Sequence, residues 1–319
     1  MAEEKKRHHY VPQFYLREFA RGKQIGTVRL EDPRRFTQSV STACSELLFH
    51  TVPGHPDGDA AFEDVLAEIE GDAAAIFRDI AEGIWPLPPE ARSEFAQYIA
   101  LQAARGAEFR RTMSYMAQQV LRMQVGAAGK ESLRTRLAKA LGDEVSDDLL
   151  SAVWEQSIRP EGPPVQLTAA GHIDQMADIA EAITPLLERR AWGLVRFVEH
   201  HLLTSDTPVC LVGDPNAPED AGLGFATALM VIFPLSRTTG LFMTRLTPPH
   251  YADRVLSGEL DYEEQPSDHY ERWFNLHTIM NASEAIFHHP DDGDLVPSEL
   301  PPARPVSARI AGAPESFTG

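Results

Sequence analysis

Long hydrophobic runs are absent from this chain of 319 residues, and its first residues are charged where a secretory signal peptide would be apolar. No stretch approaches the roughly eighteen consecutive apolar residues that a membrane-spanning helix needs. These absences predict a cytoplasmic protein that does not enter the membrane. The 43% of hydrophobic residues is typical of a packed globular core.

Cysteine is scarce, with only Cys44 and Cys210 in the chain. Two thiols so far apart form no CxxC pattern, which argues against a cysteine-rich metal site and favours two reduced thiols over a disulfide. The sequence also has no GxGxxG, no P-loop, no GxSxG and no HExxH motif. Nucleotide-cofactor, serine-hydrolase and zincin-protease chemistry therefore lack their usual signals.

Basic residues are also scarce relative to acidic ones, so the net charge is −18. This argues against broad electrostatic attraction to nucleic acid. Residues 1–50 nevertheless carry nine Lys/Arg against six Asp/Glu, a net of +3, which leaves −21 for the rest. Such a patch is suited to an anionic substrate; the alternative is a set of solvated surface charges. Its basic residues are Lys5, Lys6, Arg7, Arg17, Arg21, Lys23, Arg29, Arg34 and Arg35.

The hydrophobic pattern predicts a strand at 24–30, a helix at about 60–82 and a long amphipathic helical stretch at about 90–123. Turn residues then separate apolar segments that are typical of strands from a last helical part. The later strands, predicted to share one sheet, lie at 192–203, 225–234 and 240–244, and are followed by helices at about 248–257 and 268–281 and a possible closing strand at 285–288.

This order favours an α+β fold, in which the N-terminal strand joins a C-terminal mixed or antiparallel sheet that packs with a largely helical middle. We expect a single domain over residues 1–289, with a helical insertion near 125–165. Residues 290–319 are rich in Pro, Ser, Gly and Ala, which predicts a flexible tail.

The segment HHYVPQFYLREF, residues 8–19, carries many aromatic and apolar side chains close to the N-terminus. Because a disordered tail avoids such residues, we expect this segment to be buried. Neighbouring residues of an extended segment point to opposite faces, so at most one of His8 and His9 faces a given pocket. Imidazole can bind a metal, accept a proton or form a core hydrogen bond, so a functional and an anchoring role both remain open.

The string His-His-x-Val-Pro is similar to the opening of HNH-type nucleases, in which one histidine activates water and another holds a divalent metal. Those nucleases also need a hairpin and a helix that supplies asparagine. No asparagine lies between Gln24 and His50, so the similarity stays short.

Two further pairs of polar residues occur on the predicted helices. Glu63 and Glu70 are seven residues apart and share one helix face, an arrangement suited to a divalent cation or to acid/base work. The alternative is a solvated acidic face. Gln102 and Arg105 lie among small residues, where an arginine is able to clamp a carboxylate or a phosphate.

Polar residues also follow the predicted strands. Asp206, in the string SDTPV, ends an apolar strand and is either a turn residue or a catalytic group at a sheet edge. Asn275 and Asn281 lie on the last long helix, where asparagine is mildly unfavourable and indicates either a backbone contact or a polar site.

The strings HHYVPQFYLREF, SDTPV and PLS and the segment 275–282, in this order, resemble a bacterial family of unknown function, DUF4238. The resemblance spans about residues 8–289, and the family carries no established activity. Thr207 stands where relatives often have asparagine. By this resemblance, the signature positions include His8, His9, Pro12, Tyr15, Glu63, Gln102, Arg105, Asp206, Pro208, Asn275 and Asn281.

The leading hypothesis is a metal-dependent hydrolase, similar to a nuclease or phosphodiesterase, that acts on an anionic small molecule or a nucleic acid. His8 or His9 and Asp206 would act as ligands or base, and Arg105 would stabilise charge. A divalent cation would be supported by Glu63 and Glu70. The residues assigned to substrate binding are Tyr15, Gln102, Asn275 and Asn281.

A second hypothesis is a non-catalytic bacterial interaction protein, such as an accessory to a toxin or phage-defence system, in which the N-terminal motif only joins the terminus to the sheet. A third is glycosyl or ADP-ribosyl transfer, which clustered Arg, Glu and Asn would suit. The convergence of His8 or His9 with Glu63 or Glu70, Arg105 and Asp206 in one pocket would discriminate between these hypotheses.

Overall fold

The fold is of the α+β class, as predicted from the sequence. The computed structural model describes residues 7–56, 58–59, 61–163, 165, 167–218 and 221–302. The helices are α1 Gln13–Arg17, α2 Ala61–Ala81, α3 Pro89–Ala104, α4 Ala107–Ala128, α5 Lys130–Leu141, α6 Asp147–Ile158, α7 Ala169–Glu188, α8 Ala252–Leu256 and α9 Asp268–Asn281. The strands are β1 Arg7–His9, β2 Gln24–Arg29, β3 Arg35–Ser39, β4 Ser45–Leu47, β5 Arg190–Arg196, β6 Thr204–Ser205, β7 Cys210–Val212, β8 Met230–Ser236, β9 Thr239–Leu246, β10 Tyr262–Glu264 and β11 Ala285–His288.

A mixed five-stranded sheet has the order β10-β5-β9-β8-β7. Its strands are antiparallel, except that β10 runs parallel to β5. Every interior residue of β8 is buried. A strand buried on both faces has a continuous apolar sequence instead of an alternating one, which explains the run of β8. The prediction that three later apolar segments share one sheet is confirmed by β5, β8 and β9.

A second sheet has four antiparallel strands in the order β3-β2-β11-β6. The N-terminal strand β2 pairs with the C-terminal strand β11, which agrees with the prediction that it joins a C-terminal sheet, and Val28 lies opposite Ile286. Both side chains are fully buried. This pairing connects an N-terminal and a C-terminal segment of the described chain.

The N-terminal motif is held down by a third, two-stranded sheet and by the core. Strand β1 pairs with β4, with His8 opposite Glu46. Beyond β1, Val11, Leu16 and Phe19 are fully buried, and the Tyr15 ring stacks on Phe233 with 5.2 Å between ring centroids. The burial expected for this segment is therefore confirmed.

Helix α2 has the length predicted for it, whereas the helical stretch predicted at about 90–123 is divided into α3 and α4. The division falls at Arg105 and Gly106. Glycine is unfavourable inside a helix, and the Arg105 side chain binds groups outside it. Helix α2 buries one face against the core, through Leu66, Ala73, Ile76, Phe77 and Ile80.

The described residues divide into two compact units. The first lies within 1–107 and 169–304 and contains the three sheets. The second lies within 108–168, is helical, and overlaps the insertion predicted near 125–165. Its helix α6 begins at a Ser146 cap whose side chain accepts a hydrogen bond from the Leu149 N–H.

The predicted tail, residues 290–319, is partly folded. Gly293–Leu295 form a 3₁₀ turn and Val296 is buried, whereas residues 303–319 lie outside the described part of the chain. Among the described helices, we find none with the length and apolar character needed to cross a bilayer.

Candidate metal centre

Three side chains of the first unit converge to form a possible metal site: His8, His50 and Glu63. Each offers one ligand atom, and these atoms lie within 4.8 Å of one another. The His50 Nδ1 atom is 2.6 Å from Glu63 Oε1, and the His8 Nδ1 atom is 3.4 Å from the same oxygen. His8 is 4% exposed and His50 is fully buried, whereas the side chain of Glu63 is 30% exposed, so the site meets solvent on the glutamate side.

Local structure explains why these residues meet. Pairing of β1 with β4 places His8 opposite Glu46, and a turn then carries the chain back toward β1. Leu48 adopts a φ of 56° in this turn, a conformation uncommon for a bulky residue. His50 returns close enough for its backbone N–H to donate to His8 Nδ1 at 2.9 Å. Glu63 enters from the first turn of α2.

The protonation states suit a metal site. Burial lowers the pKa of His50, although its hydrogen bond to Glu63 opposes this. Burial raises the pKa of Glu63, but the hydrogen bond from His50 and the positive charges of His50, His8 and Arg105 together outweigh it, so the pKa lies below its usual value. His50 Nδ1 therefore donates to an ionised carboxylate. His50 Nε2 is buried and has no hydrogen-bond partner among the described residues.

His9 occupies the other face of β1, as predicted for adjacent residues of a strand. Its Nε2 atom lies 3.1 Å from the Ser41 carbonyl oxygen, on the side of a basic recess that also contains Arg17. Burial lowers the pKa of His9, and Arg105 and Arg17 lower it further against the hydrogen bond to Ser41. Of the two neighbouring histidines, His8 is the one that joins the cluster with His50 and Glu63.

Glu70 and Arg105 pair with each other. The Arg105 Nη1 atom donates to Glu70 Oε1 at 2.9 Å, and Nη2 donates to the carbonyl oxygen of His9. Arg105 is 1% exposed. Glu70 therefore balances a buried guanidinium, and the partners of Glu63 in the cluster are histidines. Arg105 joins α3 to the N-terminal motif and adds positive potential near Glu63.

Asp206 binds backbone N–H groups. Its carboxylate oxygens accept from Ser283 at 3.0 Å, from Glu284 at 2.9 Å and from Ala285 at 3.4 Å. It thereby holds the chain that leads into β11. A metal ligand would be expected to lie within the cluster of His8, His50 and Glu63. Asp206 does not belong to that cluster.

The environment of Asp206 predicts a pH-dependent stability. Burial raises its pKa from 3.8 to about 6, against the three backbone hydrogen bonds. Between these values the native state holds a proton that the unfolded state has lost, so stability falls as pH rises from about 4 to 6. Two pKa units correspond to about 3 kcal/mol. Asp206→Asn removes this titration, so the free-energy difference between wild type and variant in urea unfolding should shift by that amount between pH 4 and 7. Parallel curves would contradict it.

A family comparison matches most of the chain. The model of a protein family of unknown function, DUF4238, matches residues 7–292. The chain belongs to this family. No curated protein and no solved structure matches the chain.

Two other residues that the resemblance assigns to signature positions also bind backbone groups. The Tyr15 hydroxyl donates to the Pro234 carbonyl at 2.8 Å and lies 2.6 Å from the Thr204 hydroxyl. The Gln102 side chain donates to the Tyr10 carbonyl at 3.1 Å. These two residues, both assigned to substrate binding on sequence, connect the N-terminal motif to the sheet and to α3.

The two asparagines of α9 hold a neighbouring segment in the same way. Asn275 accepts from the Leu203 N–H at 2.8 Å and donates to the His201 carbonyl at 3.0 Å. Asn281 donates to the Thr207 carbonyl at 2.7 Å, and the Thr207 hydroxyl donates to the Asn281 carbonyl at 2.7 Å. Thr207 thus takes part in this contact through both its carbonyl oxygen and its hydroxyl group.

His50 is the functional candidate that sequence reasoning missed. It lies in the turn after β4, 13 residues before Glu63 and 42 residues after His8. The available signal was a histidine that directly follows the apolar run Leu47-Leu48-Phe49, because a polar residue at the end of such a run is a candidate for burial with a partner.

Proposed function

We propose that this DUF4238 protein is a divalent-metal-dependent hydrolase of anionic substrates, with His8, His50 and Glu63 as the metal ligands. The observation that carries the proposal is the convergence of two imidazoles and one ionised carboxylate at a site that meets solvent. Two histidines and one carboxylate form a ligand set of catalytic zinc sites, which keep a fourth position for water. A bound metal would lower the pKa of that water and make it nucleophilic.

Metal binding would rearrange the hydrogen bonds of the cluster. Metal-ligand bonds of about 2.0–2.2 Å place ligand atoms roughly 3–4 Å apart, so the His50 and Glu63 atoms, which lie 2.6 Å apart, would separate, whereas the His8 and Glu63 atoms already lie 3.4 Å apart. If His8 binds through Nδ1, the metal would also replace the hydrogen bond from the His50 N–H. The proton that His50 shares with Glu63 would be released, which makes binding weaker at low pH. The bound cation itself would attract an anionic substrate such as a phosphodiester.

A specific observation supports the second hypothesis, a non-catalytic interaction protein. Tyr15, Gln102, Asp206, Asn275 and Asn281 bind backbone groups. These residues therefore stabilise the fold, and only His8, His50 and Glu63 are proposed to take part in catalysis.

The test begins with protein freed of metal by a chelator and then dialysed. We expect one equivalent of Zn²⁺ or Mn²⁺ to bind in calorimetry and to support hydrolysis of a panel of phosphodiesters that includes bis(4-nitrophenyl) phosphate. Glu63→Gln should lose both properties, whereas Glu68→Gln, an exposed position on the same helix, should keep both. Absence of metal binding would overturn the proposal. Binding without hydrolysis across the panel would favour a structural metal in an interaction protein.

A further inference from the structure

The basic recess on the other face of β1 from His8 has a volume of about 740 Å³. It is lined by residues of β1, α1, the segment before β2, the end of β3 with the turn after it, and β4. Arg7, Arg17 and Lys23 supply its charge, and the hydroxyl groups of Ser39 and Thr42 lie at its wall. All these residues belong to the first unit.

Among the residues that the structure describes, no carboxylate neutralises the cations of the recess. The described residues of its lining include neither Asp nor Glu. Arg17 Nη2 donates to Gln13 Oε1 at 3.2 Å, and Arg7 Nη1 lies 3.4 Å from the Ser45 carbonyl oxygen, so their visible partners are neutral. Within the described part of the chain, neither arginine nor Lys23 forms an ion pair. On a chain with a net charge of −18, such a concave positive site concentrates small anions.

Size and lining identify the class of ligand. A volume of 740 Å³ is within the range of small-molecule sites and exceeds the needs of one phosphate. Three separate cations suit several phosphate groups, since arginine binds phosphate through two parallel N–H donors and lysine as a point charge. Of the lining residues within the described ranges, none is a Phe, Tyr or Trp on whose ring a base could stack.

We propose that this recess binds a small molecule through two or three phosphate groups. The site is separate from the metal cluster, because His8 and His9 point to opposite faces of β1. Its ligand is recognised by the phosphate chain, so inorganic polyphosphate and a nucleoside polyphosphate share the chemistry of recognition. Binding needs no metal, so the outcome of its test does not depend on the proposed hydrolase activity.

Calorimetry on the dialysed, metal-free full chain in about 50 mM NaCl tests this proposal. We expect tripolyphosphate to bind one to one, at least tenfold more tightly than orthophosphate, and ATP to bind with similar affinity. Arg17→Gln and Lys23→Gln should each weaken tripolyphosphate binding about tenfold, since each removes a charged contact. Arg29→Gln removes an exposed positive charge of β2 outside the recess and should leave the affinity unchanged.

Because Arg17, Lys23 and Arg29 are exposed, the variants should keep the melting temperature of the wild type, which serves as the folding control. Equal weakening by Arg29→Gln would show non-specific attraction and overturn the proposal. If a single strand of ten nucleotides bound more tightly than tripolyphosphate, the ligand would be a nucleic acid, and the proposal of a small molecule would be overturned. ATP bound much more tightly than tripolyphosphate would contradict recognition through the phosphates.

Discussion

Replacing His50 with alanine should lower the affinity for Zn²⁺ by more than about 100-fold, because loss of a supporting residue alone costs roughly 10–100-fold at metal sites and this change removes a ligand. The imidazole lies 2.6 Å from Glu63, and its backbone N–H binds His8. No other residue of the described chain completes a three-ligand cluster with His8 and Glu63. Phosphodiester hydrolysis should be lost with the metal.

The measurement is calorimetric Zn²⁺ titration, together with the rise in melting temperature that a ligand specific for the native state produces. His50→Asn is the matched variant, because its amide can still donate a hydrogen bond to Glu63 but is a poor metal ligand. Both variants should lose the metal-dependent rise in melting temperature. If His50→Asn bound Zn²⁺ as tightly as the wild type, His50 would be only a hydrogen-bond donor to Glu63.

The second large effect is expected at Arg105. Arg105→Ala should lower the free energy of unfolding by about 3 kcal/mol, near the lower end of the cost of breaking a buried ion pair by removing one partner, because the Glu70 side chain is 26% exposed and water can solvate it once the guanidinium is gone. The guanidinium is 1% exposed and is shared between Glu70 and the His9 carbonyl. Its loss leaves both acceptors without this donor and frees the N-terminal motif from the end of α3.

Urea unfolding of Arg105→Ala, Arg105→Lys and Arg78→Ala measures this effect. Lysine keeps the charge but cannot form the same pair of contacts, so Arg105→Lys should lower the free energy of unfolding by less than Arg105→Ala and by more than Arg78→Ala. Arg78 is an exposed residue of α2, and its replacement should change stability by less than about 0.5 kcal/mol. A loss at Arg105 no larger than at Arg78 would contradict the anchoring role of this ion pair.

The elements of this fold that follow from local patterns were predictable. Helix α2 was expected at 60–82 and spans Ala61–Ala81, because its apolar residues recur at helical spacing and bury one face. Strand β2 was expected at 24–30 and spans Gln24–Arg29. Its pairing with the C-terminal strand β11 also agreed with the predicted α+β arrangement.

Contacts between segments that are distant in the sequence were harder to predict. Glu63 and His8 were named as metal-site residues, but His50 was not, since its partners are 13 and 42 residues away in the chain. Glu63 and Glu70 share a helix face, yet tertiary neighbours separate their roles: histidines approach Glu63 and a buried arginine approaches Glu70. Helical spacing alone does not predict that the two glutamates have different partners.

The sequence by itself determined that the N-terminal motif is buried and that His8 and His9 face opposite ways, because apolar composition and the two-residue period of a strand are local properties. Only the tertiary structure decided which histidine meets the carboxylate. It also decided that Asp206, Asn275 and Asn281 hold backbone groups. The sequence shows the same residue type whether a polar side chain belongs to a functional site or forms a hydrogen bond in the core. Its role depends on which donors and acceptors the folded chain places beside it.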